Sequence, residues 1–136
     1  MTFSSENLAY DGKKYTLPIW RLDTDTFTVI HIDEATHKEE RTPFISESVR
    51  YHINYTVEHC PERFETLVNK GEILSYLSEL EDNVDKAVDA QLELWKQTDK
   101  EYLAAQENND TLQQAGILNM LELRAKEIIF ENMVYA

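Results

Sequence analysis

The sequence predicts an α+β fold, mainly α: a small N-terminal β-hairpin or three-stranded sheet, then a helical bundle with a long antiparallel helical hairpin. Three observations carry this. Only three Gly and three Pro occur among 136 residues, too few for a sandwich or barrel with many tight turns. The β-forming stretches all fall before residue 43. From Glu72 onward no Gly or Pro interrupts the chain until Gly116, as long helices require.

In chain order, Leu8 to Trp20 places Asp11-Gly12 between stretches containing Tyr10, Tyr15, Leu17 and Ile19, a hairpin signal. Thr26 to Ile32 is rich in β-branched and aromatic residues and reads as a third strand. The charged stretch Asp33 to Arg41 then reads as an exposed loop. Ser46 is a candidate N-cap for a helix carrying Val49, Ile53 and Val57 up to Cys60, where Pro61 stops it. A short helix from Glu62 to about Lys70 follows, with Phe64, Leu67 and Val68 on one side and Gly71 as its C-terminal stop.

From Glu72 the positions Ile73, Leu77, Leu80, Val84, Ala87, Val88 and Trp95 hold one face of a helix expected to run to Gln106. Glu107-Asn-Asn-Asp110 breaks it, and Asp110 or Thr111 caps a last helix to about Val134. The two are expected to pair as an antiparallel hairpin. The last helix is apolar on two sides: Leu118, Leu121, Ala125, Ile128 and Ile129 on one, Met120, Leu123, Phe130 and Val134 on the other. One partner helix cannot cover both, so the β region and first helix pack over it, the preferred reading, or a second protomer does, giving a homodimer. The 42% hydrophobic content supplies one core, and the expectation is a single domain, residues 1–136, with a β-rich N-terminal region over residues 1–42 and a helical body over residues 43–136.

Charge is lopsided. The chain carries 26 acidic against 13 basic residues, net −13, and the half after Cys60, with 16 acidic against 7 basic, holds −9 of it. Such a surface repels phosphate, which disfavours direct nucleic-acid binding and favours a partner with a basic surface. A helix-turn-helix at the Cys60 junction fails for the same reason, because its second helix opens with Glu62 and Glu65. The lone Cys60 forms no intramolecular disulfide, the N-terminus lacks a basic start and apolar run, and no apolar stretch approaches the ~20 residues of a membrane span. A cytoplasmic protein that meets no membrane is the expectation.

Neither catalytic nor metal-ligating residues are identified, and no cofactor is implied. His31, His37, His52, His59 and Cys60 include no pair at the i, i+4 spacing of a helical zinc site, and His59 beside Cys60 is badly placed to chelate one ion tetrahedrally. A nucleophilic Cys60 needs a base delivered from elsewhere in the fold. Phosphate loops, serine elbows and kinase signatures have no counterpart. The chain does not read as an enzyme. One feature is sharper: Asp82, Asp85, Asp89 and Glu93 fall within about 80° of arc at about 100° per residue, opposite Leu80, Val84, Ala87 and Trp95. That face is either simply solvated or a carboxylate ladder for a basic protein surface.

Tyr10-Asp-Gly-Lys-Lys-Tyr15-Thr-Leu-Pro18, the run from His59 through Gly71 to Leu77, and Ala125-Lys-Glu-Ile-Ile-Phe-Glu-Asn-Met-Val-Tyr135 resemble the TnpV family of transposon-encoded proteins. These are helix junctions and apolar faces, so the resemblance implies shared architecture and transfers no active site. It implies a small accessory protein of a bacterial mobile genetic element. The stretch Leu22 to Arg41 departs from the family pattern. Two function classes follow: a non-enzymatic interaction protein acting by protein-protein contact, and an acidic nucleic-acid-mimicking inhibitor of a host defence nuclease, of the anti-CRISPR type.

Overall fold

The computed structural model describes residues 2–4, 9–10, 13–14, 19–33 and 35–135. By internal contacts the chain divides into two compact units, Met1–Glu81 and Asp82–Ala136. Among the described residues the first unit holds six strands, two complete helices and the start of a third in an α+β arrangement. Strands β1 (Thr2–Ser4), β4 (Trp20–Asp23), β5 (Thr28–Ile32) and β6 (Glu39–Pro43) form an antiparallel sheet in the order β1-β4-β5-β6. The short strands β2 (Ala9–Tyr10) and β3 (Lys13–Lys14) pair antiparallel as a separate hairpin. The expected turn at Asp11-Gly12 lies outside the described residues.

The predicted strand at Thr26 to Ile32 starts later, at Thr28, because Thr26 and Phe27 belong to a turn. Both hairpin turns of the large sheet are built alike. Asp23 Oδ1 accepts from the Asp25 and Thr26 amides at 3.0 and 3.4 Å, and Asp33 Oδ1 accepts from those of Ala35 and Thr36 at 2.9 and 3.3 Å. Each turn then closes on a left-handed residue, Phe27 (φ 51°) or His37 (φ 55°). An aspartate that bonds its own following backbone stabilises such a turn without glycine. The amide of Asp25, above all, holds the Asp23 carboxyl below its ordinary pKa.

The charged stretch expected as a loop is a turn followed by a strand: Glu39, Glu40 and Arg41 pair with Ile32, His31 and Ile30. Their side chains are exposed, and Arg41 Nη2 meets Glu39 Oε2 at 2.8 Å. An edge strand guarded by charge resists further pairing and mimics a loop in composition. β1 was also not anticipated. It supplies Phe3 to a cross-strand row, Phe3–Leu22–Val29, that faces the core of this unit.

Helix α1 (Glu47–His59) follows Ser46, whose hydroxyl bonds the Ser48 hydroxyl at 2.8 Å and makes no side-chain cap to the backbone. It ends at Cys60, and Pro61 opens α2 (Pro61–Lys70), where its missing N–H costs nothing. Gly71 (φ 72°) closes α2: the Gly71 and Glu72 amides donate to the carbonyls of Val68 (3.1 Å) and Leu67 (2.9 Å), a left-handed stop that favours glycine. Helix α2 packs on β1 and β4, and α1 packs on α2. Phe64, Val68, Val49, Ile53, Leu22, Val29 and Phe44 close the core with Ile73 and Leu77.

The next helix, α3 (Ile73–Thr98), is shorter than predicted. Instead of continuing to Gln106 the backbone breaks at Asp99 (φ −73°, ψ 117°), and α4 (Lys100–Glu107) starts there. Asp99 Oδ1 caps α4 by accepting from the Tyr102 amide at 2.8 Å, and the Thr98 hydroxyl donates back to the Leu94 carbonyl at 3.0 Å. Short polar side chains that bond nearby backbone compete with helix propagation. Asp99→Ala is expected to lower the stability of the second unit by about 1 kcal/mol, the usual worth of an N-cap, read as a reduced thermal midpoint without loss of far-UV helical signal.

Asp110 caps α5 (Thr111–Ile129) as predicted, accepting from the Gln113 amide at 3.0 Å. The antiparallel hairpin therefore joins α4, not an unbroken long helix, to α5. Tyr102, Ala105, Ile117 and Leu121 form its core, with Leu92, Trp95 and Leu118 packed against it. A five-residue π-helix, Phe130–Val134, follows α5 and buries Val134. Of the side expected to need a second cover, Phe130 is half-buried and Val134 buried, whereas Met120 and Leu123 are 45% and 64% exposed. No helix among the described residues is long and apolar enough to cross a membrane.

Candidate partner-binding site

Asp82, Asp85, Asp89 and Glu93 all lie on α3, with Asp85, Asp89 and Glu93 exposed and Asp82 likewise turned from the core, while Val84 and Val88, on the opposite side, are buried. The amphipathic pattern thus places the carboxylates as the sequence predicts. Eleven residue-to-residue steps of about 1.5 Å spread the row over roughly 17 Å. Among the described residues, no ion pair within 4 Å engages Asp82, Asp85 or Asp89. Glu93 is engaged: its Oε1 accepts from Lys96 Nζ at 3.1 Å. That hydrogen bond, helped by the charges of Glu93 and Asp89, raises the Lys96 pKa above its ordinary value.

Two lysines stand in the same sector. Lys86 follows Asp82 by four residues and Lys96 follows Glu93 by three, so at about 100° per residue both fall within or beside the carboxylate arc. The same periodicity that reveals the acids reveals these cations. The face is therefore acidic with interspersed positive charge, a weaker and more patterned field than four bare carboxylates.

The histidines and Cys60 are dispersed. His31 stacks on Trp20 with ring centroids 4.3 Å apart. His37 holds a left-handed turn position. His52 is buried, with Nε2 2.7 Å from the Tyr76 hydroxyl and its ring edge-on to Phe64. His59 is exposed and lies on Tyr55 at 4.4 Å. Cys60 is half-buried at the junction of α1 and α2, its carbonyl accepting from the Arg63 amide at 3.1 Å. Among the described residues no three His, Cys, Asp or Glu side chains converge on a point that would hold a metal ion.

A polar recess between β1 and α2, lined by Thr2, Phe3, Ser4, Glu65 and Asn69, offers one carboxylate and no base–nucleophile pair. The acidic row on α3 is the arrangement with most to offer chemically, and what it offers is attraction for cations. No protein-family model matches the chain, and no curated protein and no solved structure matches it.

Proposed function

We propose that this chain is a non-enzymatic accessory protein of a bacterial mobile genetic element, working in the cytoplasm by contact with a protein that presents a basic surface. The observation that carries the reading is the row Asp82, Asp85, Asp89 and Glu93 on one side of α3. The mobile-element setting comes from the likeness to the TnpV family in the His59–Leu77 run and the Ala125–Tyr135 ending. A rigid helix presents its charges with little ordering cost on binding, which suits steering and register more than raw affinity.

The nucleic-acid-mimicking alternative uses the same row. Lys86 and Lys96 favour the first reading over it, because a phosphate strand carries one negative charge about every 3.4 Å with no cation between. The test is capture of cellular partners on the full chain and on its Asp85→Lys/Asp89→Lys form. The parent is expected to retain a specific protein whose binding weakens as ionic strength rises, and the double reversal to weaken it at least about tenfold, the equivalent of about 1.4 kcal/mol. Equal retention of that protein by both forms, with no salt dependence, would remove the acidic face from the function. A nuclease as the captured protein, inhibited on binding, would select the alternative.

A further inference from the structure

A second surface in the same unit is independent of the acidic face. Along α5, Leu112, Ala115, Gly116, Asn119, Met120 and Leu123 are exposed and lie within about 140° of arc, on the side away from buried Leu121 and Ala125. This strip is uncharged over about three turns. Gly116 sits in its middle, and a Cβ built there meets nothing within 4 Å. Its backbone is not left-handed; among the described residues Gly71 is the one glycine with positive φ. The chain's own packing thus has no use for a glycine at 116, although glycine is among the least favourable residues in a helix interior. Close approach by another helix gives it one.

The charges along α5 say which helix. Thr111 to Leu121 carries none, whereas the remainder to Glu131 carries Glu122, Arg124, Lys126, Glu127 and Glu131. We propose that the outer face of α5 is a self-association surface, on which a second copy of this chain lays its own α5 antiparallel across Asn119 and Met120. In that register Leu123 of each copy falls over Gly116 of the other, and each charged half lies along an uncharged half. Glu127 approaches the positive N-terminal end of the opposing helix. A parallel pair would instead stack Arg124 on Arg124 and Glu127 on Glu127. A strip complementary to its own reversal is what a two-fold interface requires. A basic partner would be drawn to α3, not to this strip, and an acidic chain of net −13 associates best where it is uncharged.

Sedimentation of the full chain over a range of concentrations tests this. A species of twice 15.9 kDa is expected, and Leu123→Glu is expected to raise its dissociation constant at least about tenfold. Leu112→Glu, at the more exposed leucine of the strip, is expected to do the same and serves if Leu123→Glu alters helical content. The Asp85→Lys/Asp89→Lys form should keep the parent mass, which separates this surface from the partner-binding reading.

In a Cys60→Ser background, mixed Gly116→Cys and Leu123→Cys chains should cross-link to each other. Leu112→Cys should not cross-link to itself, since the antiparallel register sets the twin positions roughly 22 Å apart along the axis, far beyond disulfide reach. A monomer at every concentration, a dimer indifferent to both glutamate variants, or self-cross-linking at position 112 would each overturn the proposal.

Discussion

Phe64→Ala is expected to destabilise the first unit by about 3–5 kcal/mol, the range for removing a fully buried aromatic ring. Phe64 is the largest side chain of the described residues that is fully buried, and its ring meets Phe3 of β1 and His52 of α1 edge-on at 5.9 and 6.3 Å. It therefore ties β1, α1 and its own helix α2 together. Truncation removes the transferred area, leaves a cavity that three elements would have to move to fill, and forfeits two aromatic contacts of about 0.5–1.5 kcal/mol each within that total. Urea unfolding followed by circular dichroism should show an early transition in the variant. A shift in stability below about 1 kcal/mol would mean that the core of this unit is not organised around Phe64.

Gly71→Ala should cost roughly 2–3 kcal/mol by two separable routes. The left-handed backbone at φ 72° accounts for about 1–2 kcal/mol with any ordinary side chain. Beyond that, the added Cβ falls 2.9 Å from Trp20 Nε1 and 3.3 Å from Trp20 Cδ1, so the indole must leave its place over the end of α2. Repeating the substitution in a Trp20→Ala background isolates the steric contribution as a coupling energy. If the cost of Gly71→Ala is the same with and without the indole, backbone conformation accounts for all of it.

The helices were legible because their signals are local. Pro61 and Gly71 mark the ends of α2 by what their backbones allow, and Asp110 marks the start of α5 by capping it. The apolar period of α3 placed Asp82, Asp85, Asp89 and Glu93 outward without any knowledge of the fold. Two other features resisted reading. β6 is an edge strand whose Glu39, Glu40 and Arg41 point into water, so its composition is that of a loop, and only pairing with β5 reveals it. The break at Asp99 turns on which of two near-equal bonding patterns a short acidic side chain selects, a choice no periodicity records.

His52 was equally silent. It is a polar residue on the apolar side of α1, and what makes its burial tolerable is a hydroxyl 24 residues away on Tyr76. The exposed strip on α5 was half-visible: a helix apolar on two sides needs two covers, and sequence could name the need but not the occupant. Lys86 and Lys96 were in plain view, yet a count of acids along one face passes over the cations between them.

Trp20 belongs to the first unit, against His31 and the end of α2, and Trp95 to the second, against the core formed by Tyr102, Ile117 and Leu121. These are the chain's two tryptophans, so nature has supplied one optical reporter per unit. Single-tryptophan forms made by Trp→Phe exchange at one position or the other would give each unit its own fluorescence signal. Superimposable emission curves on denaturation would establish that the units melt as one cooperative body, and separated curves would assign each its own free energy.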